Sequence, residues 1–219
     1  MTTFPNSPRL LKGGLVLVDP ESGNIVRIIV LQYNPDSLTR TLQVQAIAGD
    51  AQDRSQALRI KASPVETFKL DAEIDATDQL EFPDLNSGAV ESGIHPQLAV
   101  LETILYPPSS RLVSNNTLAN LGTLEIAPVE APLTLFVWSK QRVVPVRITD
   151  FSVTEEAFDT SLNPIRAKVS LGLRVLTVDD LGFAHRGGNI FMAYLQAKEQ
   201  LAQKARAGNL SELGLGRLP

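Results

Sequence analysis

The run Ile165 to Thr177, "IRAKVSLGLRVLT", constrains this chain more than any other. Ile165, Ala167, Val169, Leu171, Leu173 and Val175 alternate with Arg166, Lys168, Ser170, Gly172 and Arg174. A period of two puts one set on each face of a strand. At 13 residues it is about twice the usual strand of ~5–6, so it needs long neighbours. Glu66 to Asp75 supplies one candidate, with Phe68, Leu70, Ala72 and Ile74 on one face and Thr67, Lys69, Asp71, Glu73 and Asp75 on the other. Leu133–Trp138 and Val143–Thr149 flank Ser139-Lys140-Gln141-Arg142 as a hairpin, and Phe151–Phe158 continues the meander. Pro145 argues for an edge or a bulge in the second hairpin strand, because proline cannot donate to a ladder. Ile25 to Tyr33 is nearly continuous apolar sequence, the pattern of a strand buried on both faces or paired at an interface. It stops at Asn34-Pro35, and a second alternating run, "LTRTLQVQ", follows.

Two segments read as helices. Pro96 to Tyr106 carries Leu98, Leu101, Ile104 and Leu105 as an apolar stripe and stops before Pro107-Pro108. Asn189 is placed to cap a second helix running to about Ala207, with Ile190, Phe191, Tyr194, Leu195, Leu201 and Ala202 on its apolar side. The segments Gly49–Pro64, Phe82–His95 and Pro107–Asn120 are polar and read as loops. The expected fold is mainly β (α+β), with a β domain over 1–180 and a C-terminal helix and tail over 181–219.

Chemistry is sparse in this sequence. The 219 residues include no cysteine, which removes disulfides, thiolate metal sites and cysteine nucleophiles. The histidines, His95 and His185, sit in no triad spacing, and no G-x-S-x-G occurs. Asp71, Glu73, Asp75 and Asp78 are the best metal candidate, since carboxylates at alternate positions share a strand face, but the set lacks the glycine and terminal glutamate of a calcium loop and reads as a solvated face. Arg166, Lys168 and Arg174 form a basic row that reads as a solvent face, or as a charged lumen if copies of the strand line a ring. The net charge of −4 offers no basic footprint for nucleic acid. No run of about 18 apolar residues would span a membrane, and no signal-like segment opens the chain. The reading is therefore of a non-enzymatic protein without metal or cofactor, made in the cytoplasm, with no direct membrane insertion.

"LQYNPDSLTRTLQVQ" resembles the N-terminal signature of contractile injection system tube-type baseplate proteins: an apolar strand, an aromatic residue, Asn-Pro-Asp/Glu, a spacer, and an Arg entering the next strand. Three further stretches agree in order and kind. "ETFKLDAEIDATDQLE" (Glu66–Glu81) is similar to the family strand and its Asp-Ala-Thr-Asp turn, and "GIHPQLAVLETILYP" (Gly93–Pro107) to the family helix. "VPVRITDFSVTEEAFDTSLNPIRAKVSLGLRVL" (Val144–Leu176) is similar to the paired strands that lead into the long one.

The resemblance implies a phage tail-tube-like barrel of two packed antiparallel sheets with one flanking helix. It also implies a hexameric ring joining the spike hub to the inner tube of a phage-tail-like particle, released or membrane-anchored, with tube, spike, baseplate or sheath subunits as partners. Relatives often carry a lysin-motif extension, for which the sequence after Asn189 has no room. The C-terminal helix, through Ile190, Phe191, Tyr194, Leu195 and Leu201, is the candidate substitute docking element. Asn34 and Pro35 read as a structural corner, since Asn bonds its own backbone in such turns and Pro halts the strand. The competing reading is a small-ligand-binding β-barrel or an enzyme on such a barrel, which needs polar groups converging in an apolar cavity.

Overall fold

A computed structural model of the chain describes residues 10–46, 60–120 and 131–217. Seven strands run β1 (Gly14–Val18), β2 (Ile25–Val30), β3 (Thr39–Ala46), β4 (Ile60–Asp75), β5 (Leu133–Ser139), β6 (Arg142–Phe158) and β7 (Pro164–Val175). They form a single antiparallel sheet of order β2-β1-β5-β6-β7-β4-β3. Helices α1 (Thr77–Leu80), α2 (Ser87–Ser92), α3 (His95–Glu102) and α4 (Ser109–Asn120) lie between β4 and β5, and α5 (Val178–Leu181) and α6 (Arg186–Lys204) follow β7. The chain is thus mainly β, as the alternation implies. Among the described residues the sheet does not close on itself, however, and one continuous sheet stands where two packed sheets were expected.

That sheet is strongly curled. In the strand order β4 and β5 are separated by β7 and β6, which in a flat sheet would hold them about 14 Å apart. Yet the rings of Phe68 on β4 and Phe136 on β5 lie with centroids 5.4 Å apart, and Trp138 adds a third ring 5.9 Å from Phe136. Both phenylalanines are fully buried. Around them the inward faces of β1, β4, β6 and β7 supply Leu15, Leu70, Val144, Val146, Val169, Leu171 and Leu173. Leu98 and Leu101 of α3 and Phe191 and Tyr194 of α6 complete the same core. The C-terminal helix therefore shares its packing with the β region.

Several boundaries differ from the sequence reading for physical reasons. β4 starts at Ile60, inside the segment read as a loop; residues 49–59 of that segment lie outside the described residues. Pro107–Asn120 also reads as a loop, but Ser109–Asn120 is helical with no buried residue; an exposed helix leaves no apolar period to detect. α2 likewise occupies part of the segment 82–95. α3 ends at Glu102, short of Tyr106.

α6 starts at Arg186, capped by His185, whose Nδ1 accepts from the Gly187 N–H at 3.0 Å, so Asn189 is not the cap. Gly188 sits in its first turn because a Cβ there would stand 2.1 Å from the Gly182 carbonyl oxygen. Pro145 is buried in a central strand, paired with Leu135, and not at an edge. Its carbonyl accepts from Leu176 at 2.9 Å, and the missing N–H of Pro145 falls on that same side, where β7 ends at Val175.

Candidate functional site

Four strands make a layer of distinct character. β3, β4, β7 and the C-terminal part of β6 run side by side, and their outward face is polar, with charged residues on β4, β6 and β7. The register aligns Thr67, Lys69, Asp71, Glu73 and Asp75 of β4 with Arg174, Gly172, Ser170, Lys168 and Arg166 of β7. On the other side of β7 stand Arg147, Asp150, Ser152, Thr154 and Glu156 of β6. Gly172 is glycine because Asp150 crosses over it, and a Cβ there would meet the Asp150 Cβ at 2.7 Å. This crossing falls at the bulge between Ile148 and Asp150.

The basic row is placed together on this face, as the alternation requires, but it is not a free stripe of positive charge. Arg166 Nε donates to Asp75 at 2.8 Å, Lys168 lies 3.6 Å from Glu156, and Arg174 Nη2 donates to Asp180 at 2.7 Å. Thr77 also donates to Asp75, and Thr177 to Asp180. For both aspartates burial acts first and would raise the pKa, but these hydrogen bonds and the facing guanidinium outweigh it and hold each carboxyl below the ordinary value. Asp75 in turn is the largest influence raising Arg166. Of the acidic set, Asp75 is engaged as above and Asp71 accepts from the Ser170 hydroxyl, while Asp78 lies off the strand, in α1. Among the described residues no three His, Cys, Asp or Glu side chains cluster as a metal site.

Among the described residues the layer's margins carry no further strand: β3 pairs with β4 alone, and β5 pairs with β6 over Arg142–Val146. Among the described residues, β6 beyond Val146 therefore has β7 on one side and no strand on the other. Leu42 and Val44 of β3 are exposed.

The Asn-Pro corner is structural, though not through self-bonding. Asn34 Nδ2 donates to the Leu11 carbonyl at 2.8 Å and its Oδ1 accepts from the Gly13 N–H at 2.9 Å, stapling the corner to the entry of β1. Beside it, the Gln32 amide donates to the Asp75 carbonyl at 2.7 Å and accepts from the Asp75 N–H at 3.0 Å. A side chain thus occupies the place of a strand backbone where β2 and β4 meet.

The docking residues assigned to the C-terminal helix divide. Phe191 and Tyr194 are buried in the chain's own core, Ile190 packs on Val18, Leu133 and Leu135, and Leu195 is half-buried. Phe191 and Tyr194 are spent inside the chain, Ile190 and Leu195 keep part of their surface, and Leu201 is exposed. The exposed stretch runs on from Glu199 to Arg217 and carries Leu210, Leu213 and Leu215.

A further residue escaped the sequence reading. Glu66 is 3% exposed; it accepts from the Tyr194 hydroxyl and from Lys198 Nζ, each at 2.8 Å, with Arg40 Nε at 3.9 Å. Burial, with this carboxylate beside it, raises the Tyr194 hydroxyl above its ordinary pKa, against the pull of Lys198. The signal was available, since Glu66 shares the parity of Phe68 and so belongs to the core face.

Among the described residues no helix is long and apolar enough to cross a membrane. No family model matches the chain, and no curated protein matches it.

Proposed function

We propose that this chain is a ring-forming structural subunit, an adaptor that joins the spike hub to the inner tube of a contractile injection system. One observation carries the reading: the charged four-stranded layer ends on two different unpaired strand edges, β3 and the distal part of β6. Unlike edges invite head-to-tail pairing between copies, and such contacts form a ring when the rotation between copies closes. Closure also removes both edges, which are otherwise an aggregation liability. Six copies, the number the resemblance implies, would bring about 24 strands together, wider than the 16–18 that already enclose an aqueous channel. The curl that brings Phe68 onto Phe136 supports a tube-like barrel in each copy.

The outward face becomes the lumen in this arrangement. Its charges are interleaved and paired, so the lining is polar with little net field. The exposed stretch from Glu199 to Arg217 takes the docking role toward neighbouring subunits. Electron microscopy of particles from the source cell, with this subunit labelled, tests the proposal. A single ring of about six copies beside the spike is expected, and particles lacking the subunit would refute it.

A further inference from the structure

The tail beyond α6 presents a preformed turn whose leucines lie in water. After α6 ends at Lys204, Leu210–Leu213 makes one tight turn. The Asn209 side chain caps it by accepting from the Glu212 N–H at 3.1 Å. Gly214 takes the left-handed conformation, and the Leu215 N–H then donates back to the Leu210 carbonyl at 2.9 Å. These local bonds fix the backbone that carries Leu210, Leu213 and Leu215, yet all three are exposed, Leu213 to 74%. A turn already ordered loses little freedom when it binds.

The same chain carries a hollow of matching size and chemistry. Gln32 reaches from β2 to the main chain of Asp75, accepting from its N–H at 3.0 Å and donating to its carbonyl at 2.7 Å. β2 and β4 therefore stand a side chain apart and do not pair. Beside this bridge the gap is a cavity of about 230 Å³, with α3 as its third wall. Ile29, Leu31, Ala72, Ile74 and Leu101 make it apolar, and the exposed Glu73 is its charged lining residue. A cavity of about 150 Å³ is what truncating one buried leucine leaves, and it holds a benzene-sized group. The β2–β4 cavity thus accepts one leucine side chain with space to spare, and none of the chain's own tail residues lines it.

Charge separates this hollow from other apolar ones on the surface. From Lys204 to Arg217 the tail sets Lys204, Arg206 and Arg217 against Glu212. The hollow beside Tyr106 and Pro107 carries Arg27, and the one between Leu133 and Leu181 carries Arg147 and His185. Both disfavour a basic segment, whereas Glu73 favours it.

We propose that the Leu210–Leu215 turn of one copy docks in the cavity between β2, β4 and α3 of the next, with Leu213 inserted and the flanking arginines near Glu73. Tail and cavity are different surfaces, so the contact is head-to-tail, and each copy gives one tail and receives one. The inference names the receptor for the tail and rests on the adaptor reading for its choice of a second copy as partner. A turn this small buries far less than the ~1,200 Å² of a stable interface, so the contact is sampled in solution at high concentration and held by the assembled ring.

The chain has no cysteine, so introduced thiols report the contact. Gly216→Cys keeps the three leucines, and a Cβ there meets nothing. Gln97→Cys stands exposed on the cavity wall. Full-length single variants mixed at about 100 μM should form a mixed disulfide at least about tenfold faster than Gly216→Cys mixed with Leu112→Cys on α4. Adding Leu213→Ser to the Gly216→Cys chain, or Glu73→Lys to the Gln97→Cys chain, should remove most of that excess with far-UV circular dichroism unchanged. If Glu73→Lys fails to fold, Leu213→Ser, at an exposed site, decides. A chain carrying both thiols should give a ladder of covalent oligomers; a crosslinked monomer would seat the tail in its own cavity and overturn the proposal. A rate equal to the Leu112→Cys control, or one unchanged by Leu213→Ser, overturns it too. Rings that persist in particles while the thiol test fails would leave the adaptor reading standing without this contact. Tail–cavity crosslinks in a protein absent from any particle would do the reverse.

Discussion

Lys198→Met is the informative perturbation of the C-terminal helix. Lys198 Nζ and the Tyr194 hydroxyl are the hydrogen-bond donors to Glu66, a carboxylate 3% exposed on the core face of β4. Breaking one side of a buried ion pair costs about 3–5 kcal/mol, because the remaining charge is left desolvated. Here the Lys198 side chain is 31% exposed and Arg40 stands 3.9 Å from Glu66, so solvent and a second cation soften the loss. We expect about 2 kcal/mol. With a urea m-value of about 2 kcal/mol/M, the unfolding midpoint should fall by about 1 M, read by Trp138 fluorescence and far-UV circular dichroism. The double variant Glu66→Leu/Lys198→Met removes charge and partner together and should recover most of the loss, since matched apolar replacement of a buried pair is often neutral or better. A midpoint shift under about 0.3 M in Lys198→Met, or a double variant worse than the single, would show that Glu66 does not hold α6 to the sheet.

Other expectations follow from the same geometry. Charge reversal of Arg166 and Arg174 together should leave the monomer folded, because both pairs are solvent-screened, while disturbing ring stacking; loss of the native circular dichroism spectrum would refute the face assignment. Asp75 and Asp180 have depressed folded pKa values, so their stabilisation is complete above the unfolded pKa of about 3.9 and is lost as pH falls through the folded values. Accordingly Asp75→Asn/Asp180→Asn should lower stability at pH 7 and flatten the acid limb of a urea-midpoint titration. Gly188→Ala should cost about 1–3 kcal/mol by overpacking against the Gly182 carbonyl, visible as a lower thermal midpoint. Deleting residues 205–219 should change that midpoint little, because the described part of the tail is exposed. A cut from residue 189 would instead remove Phe191 and Tyr194 from the core and prevent folding.

The strands were legible where burial is one-sided. β4, β6 and β7 keep one face in the core and one in water, so Phe68, Val146 and Leu171 announce themselves by parity. β1, "GLVLV", is short and continuously apolar and carries no such parity. α4 was missed because it buries nothing, and His185 because a histidine cap has no strong composition signal. The basic row was seen, but its neutralisation was not, since Asp75, Glu156 and Asp180 meet it only through register and a capping turn. β2 is the instructive case. Apolar residues on both faces read as burial on both faces or pairing at an interface, and Ile28 and Val30 are exposed, so burial within this chain is not what they record. A sequence records what a strand is suited to touch, not whether the same chain provides it.

The strand order also sets a clock on synthesis. β1 and β2 emerge from the ribosome as an early hairpin, but the other neighbour of β1 is β5, which begins only at Leu133. At roughly 5–20 residues per second, the hairpin waits on the order of ten seconds for it. During that interval the inner face of β1 and the apolar residues of β2 are both uncovered. Two nascent chains on one messenger would meet first through this hairpin.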